Sequence, residues 1–251
     1  MTRSGVSLLA IGLGSAVGAQ VPSALWISSG QFPLERHGYS VAAIYDAGGL
    51  ACVAVGSPSR NSQDGAVNLY RGADGVAVWE TLGSLDAHFG WSMACIGDAD
   101  GDGVEDLIVG APYESANVGA AHLLSGADGH IIWSVSGNAI VGVGAYSVMN
   151  FGYDCCAIGD VNGDGFGDAW VTGAGFIEGF GAILSGRTGA ILRVHNEVNS
   201  RPVPYLACAI GDRDGDGYDD YAYGSPADRT ATEVFGSITI ASGLTGQPLL
   251  I

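Results

Sequence analysis

Apolar residues along this chain fall into short runs, and turns rich in glycine or in acidic residues separate one run from the next. A clear example is the pair of runs at 92–96 and 107–109, which is followed by two further runs joined by the turn 125–129. Runs of this length between glycine-bearing turns are typical of antiparallel strands joined as hairpins. The pattern therefore predicts an all-β chain.

The same series of runs occurs four times, in units that begin at His37, Phe89, Phe151 and Val203. Each unit has two runs around a central loop and then two runs around a turn, which is of the type Ser-Gly-x-x-Gly in the last three units and has Arg71 in place of the serine in the first. A repeat of about 50 residues with four strands matches a β-propeller blade better than a helical solenoid. We predict one domain over residues 20–251, in which the blades of four antiparallel strands lie at about 37–80, 89–134, 151–194 and 203–251.

Three of the four central loops follow the pattern D-x-[DN]-x-D-G-x-x-D. Side-chain oxygens at alternate positions of a tight loop converge on one point, and position seven is expected to add a backbone carbonyl. The predicted metal ligands are Asp98, Asp100, Asp102, Val104 and Asp106 in the first such loop, Asp160, Asn162, Asp164, Phe166 and Asp168 in the second, and Asp212, Asp214, Asp216, Tyr218 and Asp220 in the third.

Oxygen ligands in this number favour Ca²⁺, because Mg²⁺ requires a stricter octahedral geometry and keeps more of its water. An EF-hand needs a bidentate glutamate at position twelve of the loop, but here that position holds Val109, Val171 and Tyr223. The loop of the first unit, at Asp46, is shorter, and Cys52 stands where the ninth-position aspartate would be. We therefore predict three structural Ca²⁺ ions and none in the first blade.

The unit heads resemble the FG-GAP repeat of integrin alpha propellers and of many bacterial secreted proteins. Phe89-Gly90 and Gly110-Ala111-Pro112 carry the resemblance, with the acidic loop between them. The third unit keeps the Phe-Gly pair as Phe151-Gly152, whereas the last unit has Val203-Pro204 in its place. The resemblance implies a propeller, and such propellers usually have seven blades. Four units leave three alternatives: a truncated product, an open arc that dimerises, or a small closed ring. We favour the arc.

Trp26 has the same register as Trp79 and Trp133, so residues 24–27 are predicted to be the outermost strand of a preceding blade. Strand parity in a four-stranded meander places the acidic loops and the Ser-Gly-x-x-Gly turns on one face. The opposite face carries loops of variable length, and the long apolar connection 137–150 is either an interaction patch there or a cover between blades. In integrins the corresponding face binds partners, as the resemblance implies.

Composition and the N-terminal sequence limit the partners and the cellular location that this chain can have. The formal net charge of -17 argues against nucleic acid and against anionic membranes as partners. Arg3 and the apolar stretch 6–19 predict a signal peptide over residues 1–19, cleaved near Ala19, and hence an extracellular or periplasmic protein. No segment is long enough to span a bilayer. The five cysteines are an odd number for a disulfide framework, and we expect them to be small buried apolar residues.

These observations predict a secreted, calcium-binding interaction or adhesion module that is not an enzyme. Its partner would be an extracellular protein or polysaccharide, and the open blade edges would allow self-association. Two alternatives stay open: a secreted propeller enzyme, either a hydrolase or a polysaccharide lyase, and a purely structural exoprotein. The five histidines fall at different repeat positions, and none has a partner that the sequence identifies.

Overall fold

A computed structural model of the chain describes residues 26–140, 150–174, 179–195, 206–229 and 234–249. It contains four separate antiparallel sheets, and within each sheet the strands pair in chain order. Apart from the strands, the described residues contain one helical turn, α1 (Glu114–Asn117), and one 3-10 turn (Gly137–Ala139). The all-β prediction is confirmed.

Three of the sheets have four strands each. The first consists of β1 (Ser40–Tyr45), β2 (Ala51–Gly56), β3 (Ala66–Arg71) and β4 (Ala77–Leu82). The second consists of β5 (Met93–Gly97), β6 (Asp106–Ala111), β7 (Ala120–Leu124) and β8 (Ile131–Ser136). The third consists of β9 (Phe151–Gly159), β10 (Asp168–Ala174), β11 (Gly179–Leu184) and β12 (Ile191–His195).

The fourth sheet differs from the prediction of four strands. It has three: β13 (Leu206–Gly211), β14 (Asp220–Arg229) and β15 (Val234–Ala241). The expected outer run meets β15 only through an isolated bridge between Ala241 and Pro248 and a bond from the Leu249 amide to the Ile240 carbonyl at 2.8 Å. The head residues Val203 and Pro204 lie outside the described residues, as do the predicted signal peptide and most of the 137–150 connection.

Consecutive sheets pack face to face, with apolar side chains filling the space between them. Ile44, Ala54 and Leu69 of the first sheet pack with Phe89 and Leu107 at the second sheet. The other two interfaces are built in the same way, and Trp170, which is fully buried, fills the one between the third and fourth sheets. The hydrophobic contacts between neighbouring blades are therefore the core of the protein.

The four sheets form an arc and do not close into a ring. Inner strands contact in sequence, β1 with β5, β5 with β9, and β9 with β13. At the two ends of the arc, Val41 of β1 is 64% exposed and Leu206 of β13 is 60% exposed, whereas residues on the inner strands between them are largely covered. For the described residues, the small closed ring is wrong and the open arrangement is confirmed, whereas dimerisation of the arc and truncation stay predictions.

A tryptophan on the outer strand of one blade binds the hairpin turn of the next. Trp79 donates its Nε1–H to the Gly126 carbonyl at 2.9 Å, and Trp133 donates to Gly186 at 2.8 Å. Trp26 makes the same contact with Gly72 at 2.8 Å, although residues 26 and 27 are not in a strand. In the third blade, Arg193 replaces the tryptophan and donates to the Gly243 carbonyl at 3.1 Å.

We expect Trp133→Ala to lower the free energy of unfolding by roughly 3 kcal/mol, because it removes both the ring and the hydrogen bond between blades. Trp133→Phe keeps most of the apolar contact and loses only the Nε1–H donor, so its cost should be about 1 kcal/mol. Urea denaturation of the two variants measures the difference. Equal losses would contradict a contact in which packing contributes more than the hydrogen bond.

Candidate metal centre

Each acidic loop is folded around its first aspartate. The Asp98 carboxylate accepts hydrogen bonds from the backbone amides of Gly101 at 2.7 Å, Asp102 at 3.1 Å and Gly103 at 2.9 Å. Asp160 and Asp212 hold their own loops by equivalent bonds. Gly103 has a φ of +89°, a left-handed conformation that glycine adopts without strain, and this turns the loop back on itself.

Two of the loops bring three carboxylates together. One ligand oxygen from each of Asp98, Asp100 and Asp106 lies within 4.8 Å of the others, and the same is true of Asp212, Asp214 and Asp216. Two oxygens bound to one Ca²⁺ at about 2.5 Å can be at most about 5 Å apart. The spacing and the oxygen-only donors therefore fit a Ca²⁺ ion in both loops.

The second loop is arranged differently. The Asn162 side-chain amide donates to an Asp164 oxygen at 3.0 Å and to an Asp168 oxygen at 3.4 Å, so an N–H group lies among the carboxylates. The Asn162 oxygen accepts from the Asp164 backbone amide at 2.8 Å. Among the described residues, this loop therefore forms no three-carboxylate cluster. The oxygens of Asp160, Asp164 and Asp168 remain the donors for the predicted ion.

The ninth-position aspartates do more than the sequence indicated. Asp106, Asp168 and Asp220 are fully buried, and each carboxylate joins two turns of its blade. In Asp106, one oxygen accepts from the Ala99 amide at 2.8 Å and the other accepts from the Gly126 amide at 3.0 Å. In the same way, Asp168 accepts from the amides of Val161 and Gly186, and Asp220 accepts from the amides of Arg213 and Gly243. These bonds also place the acidic loops and hairpin turns on one face, as predicted.

Burial changes the acidity of two of these groups. Loss of water around the carboxyl raises the pKa of Asp106 to about 6 and that of Asp168 to about 7, while bonds from backbone amides oppose the rise. The hydrogen bonds that the backbone amides donate, and any bound cation, favour the ionised form of the carboxyl group. A buried carboxylate at this position therefore depends on these neighbours to keep its charge.

The position-seven residues lie at the loop exits. The amides of Val104, Phe166 and Tyr218 each donate to the aspartate two residues earlier, at 2.8, 3.0 and 2.9 Å. The guanidinium of Arg187 lies 4.5 Å from the centre of the Phe166 ring. Their role as carbonyl ligands stays a prediction.

The first blade closes its hairpin without an acidic cluster. One oxygen of Asp46 accepts from the amides of Gly48 at 2.9 Å and Leu50 at 2.8 Å, which forms a compact turn. The hairpin amide of Gly72, which corresponds to Gly126, is bonded to the backbone carbonyl of Ala51 at 2.9 Å. A backbone group here performs the task that a buried aspartate performs in the other blades.

Two polar groupings were not visible in the sequence. His122 has Ser134 Oγ at 2.8 Å from Nδ1 and Glu114 Oε2 at 3.0 Å from Nε2, because β7 pairs His122 directly with Ser134 on β8. The Glu114 pKa is lowered by its hydrogen bond to His122. In the first blade, the buried Glu35 lies 3.8 Å from Arg60, beside His37 in a small polar cleft.

The cysteines are all free thiols, and four of them are buried or half-buried as expected. Cys208 is the exception, because it is exposed on β13. Its counterpart in the second blade is Ala94, which the third sheet covers. The prediction of burial is wrong for Cys208, because among the described residues no further sheet packs on the fourth.

Comparison with known proteins agrees with this architecture. The FG-GAP repeat family matches residues 89–124. The chain is 32% identical to integrin alpha-2 of Bos taurus over 43% of its length, and 29% identical to integrin alpha-PS2 of Drosophila melanogaster over 75% of its length. It spans only 10% and 15% of those two proteins.

Solved structures with a similar fold include two rhamnogalacturonan lyases. Rhamnogalacturonan lyase YesW matches 84% of this chain with a TM-score of 0.53, and the Bacillus licheniformis rhamnogalacturonan lyase PL11 matches 84% with a TM-score of 0.51. Sequence identity is 15% in both cases, and this chain covers 41% of each lyase, so the likeness concerns the fold alone.

Fold and comparisons together define an all-β repeat protein built from propeller-type blades. Within that class the chain carries an FG-GAP repeat and is related in sequence to integrin alpha subunits, which confirms the resemblance on which the sequence analysis relied. No helix among the described residues is long and apolar enough to cross a membrane.

Proposed function

We propose that this chain is a secreted interaction module whose blades are held by structural Ca²⁺. The observation that carries the proposal is the convergence of carboxylate oxygens in the loops of Asp98 and Asp212. The buried ninth-position aspartate connects each loop to the neighbouring hairpin, so an ion bound in the loop would stabilise the blade rather than act on a substrate. The integrin relatives support a role in extracellular binding.

Calcium binding is tested by calorimetric titration of metal-free protein. We expect three ions per chain, and we expect two for each of Asp98→Ala, Asp160→Ala and Asp212→Ala. Asp46→Ala is the matched control, since it changes the same position in the first blade and should leave three. One ion or none in the unchanged protein would overturn the proposal.

Calcium should also raise the thermal midpoint of unfolding. An ion that binds only the folded chain adds about 2.7 kcal/mol per site when its concentration is a hundred times the dissociation constant. A melting curve with excess Ca²⁺, compared with one in a chelator, measures the sum over the sites. A midpoint that does not move would contradict a structural ion.

We also propose that the module is exported and acts without catalysis. Residues 1–19 would be removed, leaving Gln20 as the first residue; N-terminal sequencing of the exported protein tests this. A partner would bind the face opposite the calcium loops, which includes residues 57–64 and 113–118. Related integrins support an extracellular protein partner, and the lyase-like fold is compatible with a polysaccharide.

A hydrolase is the second candidate, and one arrangement favours it. Ser134, His122 and Glu114 form a hydrogen-bonded series in which a base contacts a hydroxyl and an acid contacts the base. If Ser134 is a nucleophile, a fluorophosphonate reagent should label it, and Ser134→Ala should abolish labelling. Release of unsaturated ends from rhamnogalacturonan would instead favour a lyase.

A further inference from the structure

The fourth sheet has an apolar face that no described element covers. Two rows of directly paired residues form it, and we call them the open face: Leu206, Gly224 and Ile238 in one row, and Cys208, Ala222 and Ile240 in the other. Directly paired residues lie on the same side of a sheet. Ile238 is 80% exposed and Leu206 is 60% exposed, although both are large aliphatic side chains in one row, with only Gly224 between them.

The positions of the second row are covered in the second blade. In the second sheet, Ala94, Ile108 and Leu123 form the row that corresponds to Cys208, Ala222 and Ile240. All three contribute to the core between the second and third sheets. The row of Cys208, Ala222 and Ile240 therefore has the composition of a surface that another sheet covers, and among the described residues no sheet covers it.

The other end of the arc differs, because the N-terminal segment lies on it and one of its rows carries polar side chains. Trp26 and His37 lie against Tyr70, with ring centres 5.8 and 6.0 Å away, so the N-terminal segment covers part of the first sheet. The row that begins at Val41 continues through Val55 to Asn68 and Glu80. Glu80 pairs with Arg60 at 3.4 Å. A second copy that added its open face here would bury this charge and displace the segment.

Among the surfaces of this chain, the uncharged open face is the one where charge repulsion opposes a second copy least. The chain carries a formal net charge of -17, so most surfaces of two copies would repel each other. The six residues of the open face include no carboxylate and no base. Identical surfaces that meet around a twofold axis must be complementary to themselves, and an uncharged apolar sheet face meets that condition.

We propose that two copies of this chain associate through their open faces about a twofold axis. The packing would reproduce the sheet-on-sheet contact that already joins the blades within one chain. The partner is thus a second copy of the chain, and the interface is centred on Ile238, Leu206 and Ile240. This goes beyond the proposed calcium-binding role and does not depend on it.

The test is light scattering coupled to size exclusion, performed from low micromolar to several hundred micromolar chain. The unchanged protein should approach twice the mass of one chain as the concentration rises. Ile238→Glu places a charge on each side of the axis and should leave a monomer at all concentrations. Val41→Glu is the matched control, because Val41 is an exposed aliphatic residue at the opposite end of the arc, and it should dimerise normally.

Cys208 supplies a second readout within the same protein. It is exposed in one chain but would be covered in the dimer, so its reaction with a maleimide should slow by about tenfold at concentrations where the dimer dominates. Mass spectrometry of the labelled peptides separates it from the other cysteines. Circular dichroism tests whether Ile238→Glu is folded, and we expect it to be, because the change is at an exposed position.

Three results would overturn the proposal. The first is a monomer at every concentration. The second is a dimer that Ile238→Glu leaves intact. The third is a dimer that is lost only in Val41→Glu, which would assign the contact to the first sheet.

Discussion

Among substitutions of alanine for a glycine of the Phe-Gly or Gly-Ala-Pro segments, Gly152→Ala should destabilise this protein most. Gly152 belongs to the Phe-Gly pair that opens the third blade, and its φ of +90° is a left-handed conformation. A Cβ built there would overlap the Ala120 carbonyl oxygen and would lie 2.9 Å from the Ala111 amide nitrogen. Both atoms are backbone of the second blade and have little room to move.

We expect a loss of roughly 3–5 kcal/mol, in which about 1–2 kcal/mol comes from the left-handed backbone and the rest from the overlap between blades. Thermal and urea unfolding measure the loss.

Gly38→Ala is the control that separates the two causes. Gly38 occupies the same motif position in the first blade and has a similar φ of +84°, but nothing lies within 4 Å of a Cβ built there. Its substitution should therefore cost only the backbone strain. If Gly38→Ala and Gly152→Ala are equally destabilising, close approach between blades is not the reason for the motif.

These contacts explain why the Phe-Gly and Gly-Ala-Pro segments occur together. The glycine that opens one blade packs against a glycine near the end of the second strand of the preceding blade. Gly152 does so against Gly110, with 3.1 Å between a Cβ at Gly152 and the Gly110 Cα. Ser92 of the preceding blade then donates its hydroxyl to the Gly152 carbonyl at 3.1 Å. The sequence showed the motif, but the reason for it lies between two blades.

The repeat period allowed the strands to be predicted, since each apolar run has one counterpart in every unit. Tertiary contacts were harder to predict. Asp106 looked only like a loop ligand because its partner Gly126 is twenty residues away in another turn. Cys208 looked buried because its repeat position is covered in other blades, as Ala94 is in the second, whereas no described sheet covers Cys208. A repeat predicts what each unit has in common, whereas the ends of an array depend on which neighbours are present.

The second large loss of stability is expected when a buried ninth-position aspartate is replaced. We expect Asp106→Ala to lower the free energy of unfolding by roughly 3–5 kcal/mol, because it leaves the Ala99 and Gly126 amides without their acceptor inside the protein, and each unpaired buried amide costs about 1–3 kcal/mol. The loss should persist in a chelator, since the hydrogen bonds exist without a metal ion. In excess Ca²⁺ the loss should be larger, because the same carboxylate lies with Asp98 and Asp100.

Cys52→Ala is the matched control in the first blade, where the Ala51 carbonyl already bonds the hairpin amide of Gly72. It should cost about 1 kcal/mol, the usual price of a small buried side chain, with and without Ca²⁺. Urea denaturation of both variants, in chelator and in Ca²⁺, gives the four free energies of unfolding to be compared. If the Asp106→Ala loss vanishes in chelator, the carboxylate is a metal ligand alone and does not join the two turns of its blade.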